Sequence, residues 1–106
     1  MFEALLPEAE LWVGEMRGVE LGGARLVVVR HEHGVSVYRD RCPHQGYPLS
    51  QGELKEGVIT CALHRHQFAA ETGEGINPLR PCLASLPCKV EAGQILVELS
   101  LEVRAR

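Results

Sequence analysis

Two short segments hold the residues best suited to binding metal. Cys42-Pro43-His44 and Cys61-Ala62-Leu63-His64 each pair one thiol with one imidazole, and sixteen residues separate His44 from Cys61. Residues two apart on an extended loop have Cα atoms up to about 7 Å from each other, so one segment is poorly shaped to chelate a single small ion. The two segments together suit a pair of metals. A two-iron, two-sulfide rhomb needs two protein ligands at each end, and two loops that each give a Cys to one iron and a His to the other meet that need. A structural zinc ion also accepts two Cys and two His. Zinc sites, however, usually pair Cys with Cys about two to four residues apart and His with His about three to five apart, whereas here each segment mixes the two types.

The pattern Cys-x-His, a long spacer, then Cys-x-x-His resembles the ligand motif of the Rieske proteins, and Cys42, His44, Cys61 and His64 match it at all four positions. The resemblance implies one Rieske 2Fe-2S cluster, with Cys42 and Cys61 on the buried iron and His44 and His64 on the outer one. The segments Trp12 to Met16, Glu32 to Val35, Cys42 to Gln45, Gly57 to Cys61 and Gly75 to Pro78 are similar to the ferredoxin components of toluene monooxygenase systems. That likeness implies an electron carrier rather than an enzyme. It would serve between an NADH-dependent flavoprotein reductase and a di-iron hydroxylase acting on aromatic hydrocarbons, the alternative being the ferredoxin of an arene ring-hydroxylating Rieske dioxygenase. Two further readings are a zinc-stabilised binding module and a cluster-free accessory domain such as a nitrite reductase small subunit; four intact ligands argue against the latter.

Respiratory-chain Rieske proteins join their two ligand loops by a disulfide. Here Tyr47 and Leu63 stand where those cysteines would be, so no such staple is expected. The same relatives place Ser and Tyr hydroxyls near the cluster, where this chain has His66 and Phe68. Fewer donors to the sulfurs stabilise the extra electron less, which predicts a potential toward the low end of the Rieske span of roughly -150 to +300 mV.

The elements that must position these loops read as strands. Apolar residues come in short runs broken by Gly, Pro and Asn, and no long stretch keeps a helical period. A strand pair is expected from Glu10 to Leu21 with Ala24 to Arg30, turned by Gly22-Gly23, and Leu26-Val27-Val28-Val29 is its most clearly buried part. A turn at His31 to Gly34 leads into a strand that puts Val35, Val37 and Arg39 on one face and Ser36, Tyr38 and Asp40 on the other. Further strands are expected at Gly57 to Cys61 and Gln67 to Ala70, the latter closed by Glu71-Thr72-Gly73, and a hairpin at Leu86 to Val90 with Gln94 to Leu99. One helical turn is expected around Pro7 to Leu11. The fold class is therefore all-β, a small antiparallel sandwich or barrel in one domain over 1-106, with the cluster-binding part at about 40-81.

Composition narrows the function classes. The 106 residues suffice for one ordinary core, and a formal charge of -3 offers no basic field for nucleic acid or anionic lipid. The acidic start, with Glu3, Glu8 and Glu10, lacks the positive region of a signal peptide, and no run approaches the roughly 18 apolar residues of a spanning helix. A cytoplasmic protein without a membrane partner is expected, with its cysteines as ligands or reduced thiols.

Other residues read more plainly. Pro43, Gly46 and Pro48, with Pro78 and Pro81 in a covering loop, would stiffen the site or simply punctuate turns. His31, Glu32 and His33 suggest a facial triad, but such close neighbours rarely converge on one ion, and a solvated hairpin tip is expected. His66 reads as a packing or surface residue, Cys82 and Cys88 as buried free thiols, and Trp12 as core. Glu53, Glu56, Glu71 and Glu74 are read as exposed turn carboxylates able to steer a basic partner.

Overall fold

The unbroken apolar run Leu26 to Val29 has a simple explanation, because its strand is covered on both sides. In the computed structural model, which describes residues 2–41, 48–62, 65–77, 79 and 82–99, Leu26 and Val28 belong to one buried cluster and Val27 and Val29 to another. Successive side chains of a strand point to opposite faces, so a strand buried on both needs apolar residues at every position.

Eleven strands are present among the described residues: β1 Phe2–Pro7, β2 Met16–Leu21, β3 Ala24–His31, β4 Gly34–Arg39, β5 Glu53–Lys55, β6 Val58–Thr60, β7 Gln67–Ala69, β8 Gly75–Asn77, β9 Ser85–Leu86, β10 Cys88–Glu91 and β11 Gln94–Glu98. They form three antiparallel sheets in the orders β1-β11-β10, β2-β3-β4-β9 and β5-β6-β7-β8. Two single turns of 3-10 helix, Glu8–Glu10 and Leu49–Gln51, complete the regular structure. No described helix is long and apolar enough to cross a membrane.

The central sheet divides the molecule into two cores. Leu26, Val28, Val37 and Leu86 pack with Ile95 and Val97 of the sheet made by the two chain ends. Val27, Val29 and Tyr38 pack with Ile59 and Phe68 of the third sheet and with Ala70 just after β7. The β4 alternation expected from the sequence is thus realised, with Val37 on the first core and Tyr38 on the second. The Gly22-Gly23 turn also forms as expected, with φ of 57° and 81°, a pair of positive values that a two-residue hairpin requires and glycine adopts without steric cost.

Four expectations need correction. The strand proposed from Glu10 begins only at Met16, because residues 12–15 form a turn: the Glu15 amide donates to the Trp12 carbonyl, and the Trp12 amide to the Glu15 carboxylate. That turn carries the Trp12 indole outward, 77% exposed, while the neighbouring Leu11 takes the core position. Cys82 is not buried but exposed, while Leu83 beside it takes the place in the second core. Cys88 is half-buried; its thiol donates to the Val35 carbonyl at 3.4 Å, and burial pushes its pKa up.

Candidate metal centre

Of the four expected ligands, Cys61 lies among the described residues; Cys42, His44 and His64 lie outside them, as do Pro43, Gly46, Tyr47, Leu63, Pro78 and Pro81. What the structure gives is the frame from which both ligand segments depart.

The first segment leaves β4 at Arg39 and re-enters regular structure at Leu49. Its two ends are tied by Asp40, a buried carboxylate that accepts from the Ser50 amide at 2.7 Å and from the Ser50 hydroxyl at 2.6 Å. The Asp40 amide donates to the Arg25 carbonyl on β3, which fixes the clamp to the central sheet. Gly18 on β2 packs against the clamp so closely that a Cβ there would stand 2.8 Å from the Ser50 hydroxyl and 3.0 Å from the Asp40 carboxylate.

The second segment is the loop between β6 and β7, which pair in register from Val58↔Ala69 to Thr60↔Gln67. Cys61 stands immediately after β6 with no exposed surface, packed in the second core with Val27, Val29, Leu49 and Phe68. Both of its backbone groups are bonded. Its amide donates to the His66 carbonyl at 2.8 Å, and its carbonyl accepts from the Arg65 amide at 2.9 Å. Arg65 holds a φ of 60°, a left-handed conformation that costs a non-glycine residue about 1 kcal/mol or more. Gly52 lets the two segments approach, since a Cβ at this position would lie 2.0 Å from the Thr60 carbonyl oxygen and 3.2 Å from the Ala62 amide nitrogen.

Two thiols and two imidazoles are the right donor set for a Rieske cluster, and the fully buried Cys61 fits a thiolate on an inner, solvent-excluded iron. Phe68 is fully buried in the same core and carries no hydroxyl, in keeping with few donors near the sulfurs. His66 is half-buried. Asp40, Ser50 and Gly52 escaped the sequence reading. Their roles depend on contacts made across a folded loop, and nothing in their spacing announces them.

Away from this region, His31 and His33 lie on the β3–β4 hairpin tip as expected, but their acidic neighbour in space is Glu71, from the turn after β7, rather than Glu32. Glu53, Glu56, Glu71 and Glu74 are exposed. Tyr38 joins the central sheet to the third one by donating to the Ala70 carbonyl at 2.7 Å, and burial raises its pKa.

A model of the Rieske 2Fe-2S domain matches residues 2–89. The ferredoxin component of the alkene monooxygenase system of Xanthobacter autotrophicus (strain Py2) is 44% identical over 89 residues, spanning 83% of this chain and 73% of that protein. The ferredoxin component of biphenyl 2,3-dioxygenase from Rhodococcus jostii (strain RHA1) is 32% identical over 92 residues, 85% of each. Among solved structures, a chain in the complex of reduced oxygenase and oxidized ferredoxin of carbazole 1,9a-dioxygenase superposes with a TM-score of 0.81 at 27% identity, covering 93% of this chain and 97% of that one.

Proposed function

Because this chain belongs to the Rieske 2Fe-2S family, we propose that it is the ferredoxin component of a multicomponent oxygenase, a one-electron carrier rather than a catalyst. The observation that carries this reading is the 44% identity to a monooxygenase ferredoxin over 83% of the chain, combined with a four-ligand motif intact in the sequence. Cys42 and Cys61 would hold the buried iron, and His44 and His64 the outer one. The bound cluster supplies a site that gains and loses one electron without losing a ligand.

The protein's own part is to keep that site still and dry on one side. The Asp40–Ser50 clamp closes the first ligand segment, and the two backbone bonds at Cys61 hold the start of the second. A stiff frame keeps the reorganisation that accompanies each transfer small. Burial of Cys61 under Leu49 and Phe68 keeps water off that side of the site. Histidine ligands on the outer iron would give a partner's redox centre the shorter approach, which would make the face around them the docking face.

The finer assignment is an NADH-dependent flavin reductase as donor and a di-iron hydrocarbon monooxygenase as acceptor, in the cytoplasm, with the ligand-bearing part at about 40-81. A dioxygenase acceptor is the second reading, favoured by the 32% identity to a biphenyl dioxygenase ferredoxin over 85% of the chain. Reconstitution decides between them. Purified holoprotein is mixed with NADH, a flavin reductase and either type of terminal oxygenase, and product is followed. Turnover that saturates with this protein in the monooxygenase system and stays at background in the dioxygenase system is expected; the reverse pattern overturns the finer assignment.

A further inference from the structure

The β3–β4 hairpin tip and the turn that follows β7 bring together three metal-binding side chains from distant parts of the chain. His31, His33 and Glu71 each present one donor atom, all within 4.8 Å of one another. His33 Nδ1 lies against a Glu71 carboxylate oxygen at 2.5 Å, across 38 residues of sequence.

The hydrogen bonds show which nitrogen of His31 carries the lone pair. The His33 amide donates to His31 Nδ1 at 3.2 Å, which assigns that nitrogen as unprotonated. The ring proton then sits on Nε2 and is donated to the Ser36 hydroxyl at 2.9 Å, and that hydroxyl in turn donates to the Glu71 carbonyl at 2.9 Å. The Nε2 side is thus anchored to a partner that fixes ring orientation and tautomer, and Nδ1 carries a lone pair that an ion takes up by displacing the 3.2 Å contact from the His33 amide. The anchor ends on the backbone of Glu71, so the same residue supplies a ligand and steadies another.

The surroundings favour a cation. The three residues line an open cleft of about 550 Å³ whose charged lining is Glu32, Glu56 and Glu71 against Arg30. The Arg30 guanidinium is already engaged: it donates to the Glu8 and Leu11 carbonyls and pairs with the Glu8 carboxylate at 3.7 Å. His33 and Glu71 are both exposed, which leaves room for water in the remaining coordination positions.

We propose that His31 Nδ1, His33 Nδ1 and a Glu71 carboxylate oxygen form a second metal site, separate from the cluster, for a divalent cation of the zinc class. Two imidazoles and one carboxylate suit zinc, nickel or copper better than calcium or magnesium, which prefer oxygen alone. Bond lengths of about 2.0 to 2.2 Å place neighbouring donors roughly 3.3 Å apart around a tetrahedral ion, so the widest pair must close by at most about 1.5 Å while His33 and Glu71 part by about 0.8 Å, movements within reach of exposed side chains. The ion replaces the proton shared by His33 and Glu71. Binding therefore releases that proton and tightens as pH rises. By joining the β3–β4 hairpin to the β7–β8 turn, the ion would brace the central sheet against the sheet from which Cys61 departs.

The test is calorimetric titration of Zn2+ into the oxidised holoprotein at about pH 7.5, with visible absorption confirming that the cluster stays intact. One saturable zinc site per chain is expected, weakened at least about tenfold in His33→Ala and in Glu71→Gln, and unchanged in Cys82→Ser, which controls for the exposed thiol. Zinc should also raise the melting temperature of the wild-type protein and of Cys82→Ser but not of the other two variants. Both substituted ligands are exposed, and melting in chelator verifies that each variant folds. Absence of saturable binding below millimolar zinc, equal affinity in all the variants, or a site lost with Cys82 overturns the proposal.

Discussion

Replacing Asp40 by alanine should free the ends of the segment that carries Cys42 and His44. The carboxylate is buried and accepts two short hydrogen bonds from Ser50, one from the amide and one from the hydroxyl. Hydrogen bonds to a charged group are each worth roughly 1.5 to 3 kcal/mol, but the two share one partner and part of the loss is recovered if water enters. Gly18 packs against the clamp at contact distance and limits that entry, so a net cost of about 2 to 3 kcal/mol is expected. If this cost falls on local opening of the ligand segment, the opening equilibrium rises roughly 30- to 150-fold. Asp40→Asn keeps one acceptor and the side-chain shape, and should cost about half as much. The assay is the first-order loss of visible cluster absorption under excess iron chelator, run beside chemical unfolding of the same samples. Cluster loss should accelerate strongly in Asp40→Ala and less in Asp40→Asn. A lowered unfolding midpoint with cluster loss at the wild-type rate would refute the reasoning, because it would make the clamp a support of the fold and not of the site.

Gly52→Ala should give protein with sharply reduced cluster content, because the new methyl would have to displace the Thr60 carbonyl at the root of the second ligand loop; iron content per chain equal to wild type would contradict this. Tyr38→Phe removes the donor to the Ala70 carbonyl and should cost about 1 to 2 kcal/mol. That corresponds to a melting temperature lower by roughly 5 to 15 °C, and an unchanged melting curve would contradict it. The pKa of His33 is raised by its hydrogen bond to Glu71 and by the charges of Glu71 and Glu32. A raised folded-state pKa gives stability that is complete below the unfolded value of about 6.5 and fades as pH climbs through the folded value. The melting temperatures of wild type and His33→Ala, compared in chelator, should therefore differ more at about pH 5.5 than at about pH 8.5, and equal differences at both would remove the ion pair from the account.

Much of the frame was legible in the sequence because it follows from local rules. Alternation placed Val37 and Tyr38 on opposite faces, the Gly22-Gly23 pair announced a tight hairpin, and the apolar run at β3 announced a buried strand. The misses are non-local. β1 was not foreseen because it pairs with β11 at the far end of the chain, with only Leu6 fully in the core and a register shift after Ala4. β5 and β8, which flank the two foreseen strands of the third sheet, were also missed. Trp12 was placed in the core on its residue type, and the turn at 12–15 overrode that preference.

The donor set was plain in the order of Cys and His, while its supports were hidden. Asp40 and Ser50 are ten residues apart and carry no mark of partnership until the chain closes on itself. The same holds for Glu71, which meets His33 only because the β7–β8 turn lands beside the β3–β4 hairpin.

The central claim is that two mixed thiolate and imidazole segments hold one pair of irons. Iron, inorganic sulfide and zinc are to be quantified per chain in purified native protein, beside a Cys61→Ser variant. The account predicts two irons and two sulfides per wild-type chain, no stoichiometric zinc at the cysteines, and loss of both iron and sulfide in the variant. Wild-type protein that contains zinc but neither iron nor sulfide, or a Cys61→Ser variant with a full complement of both, would contradict it.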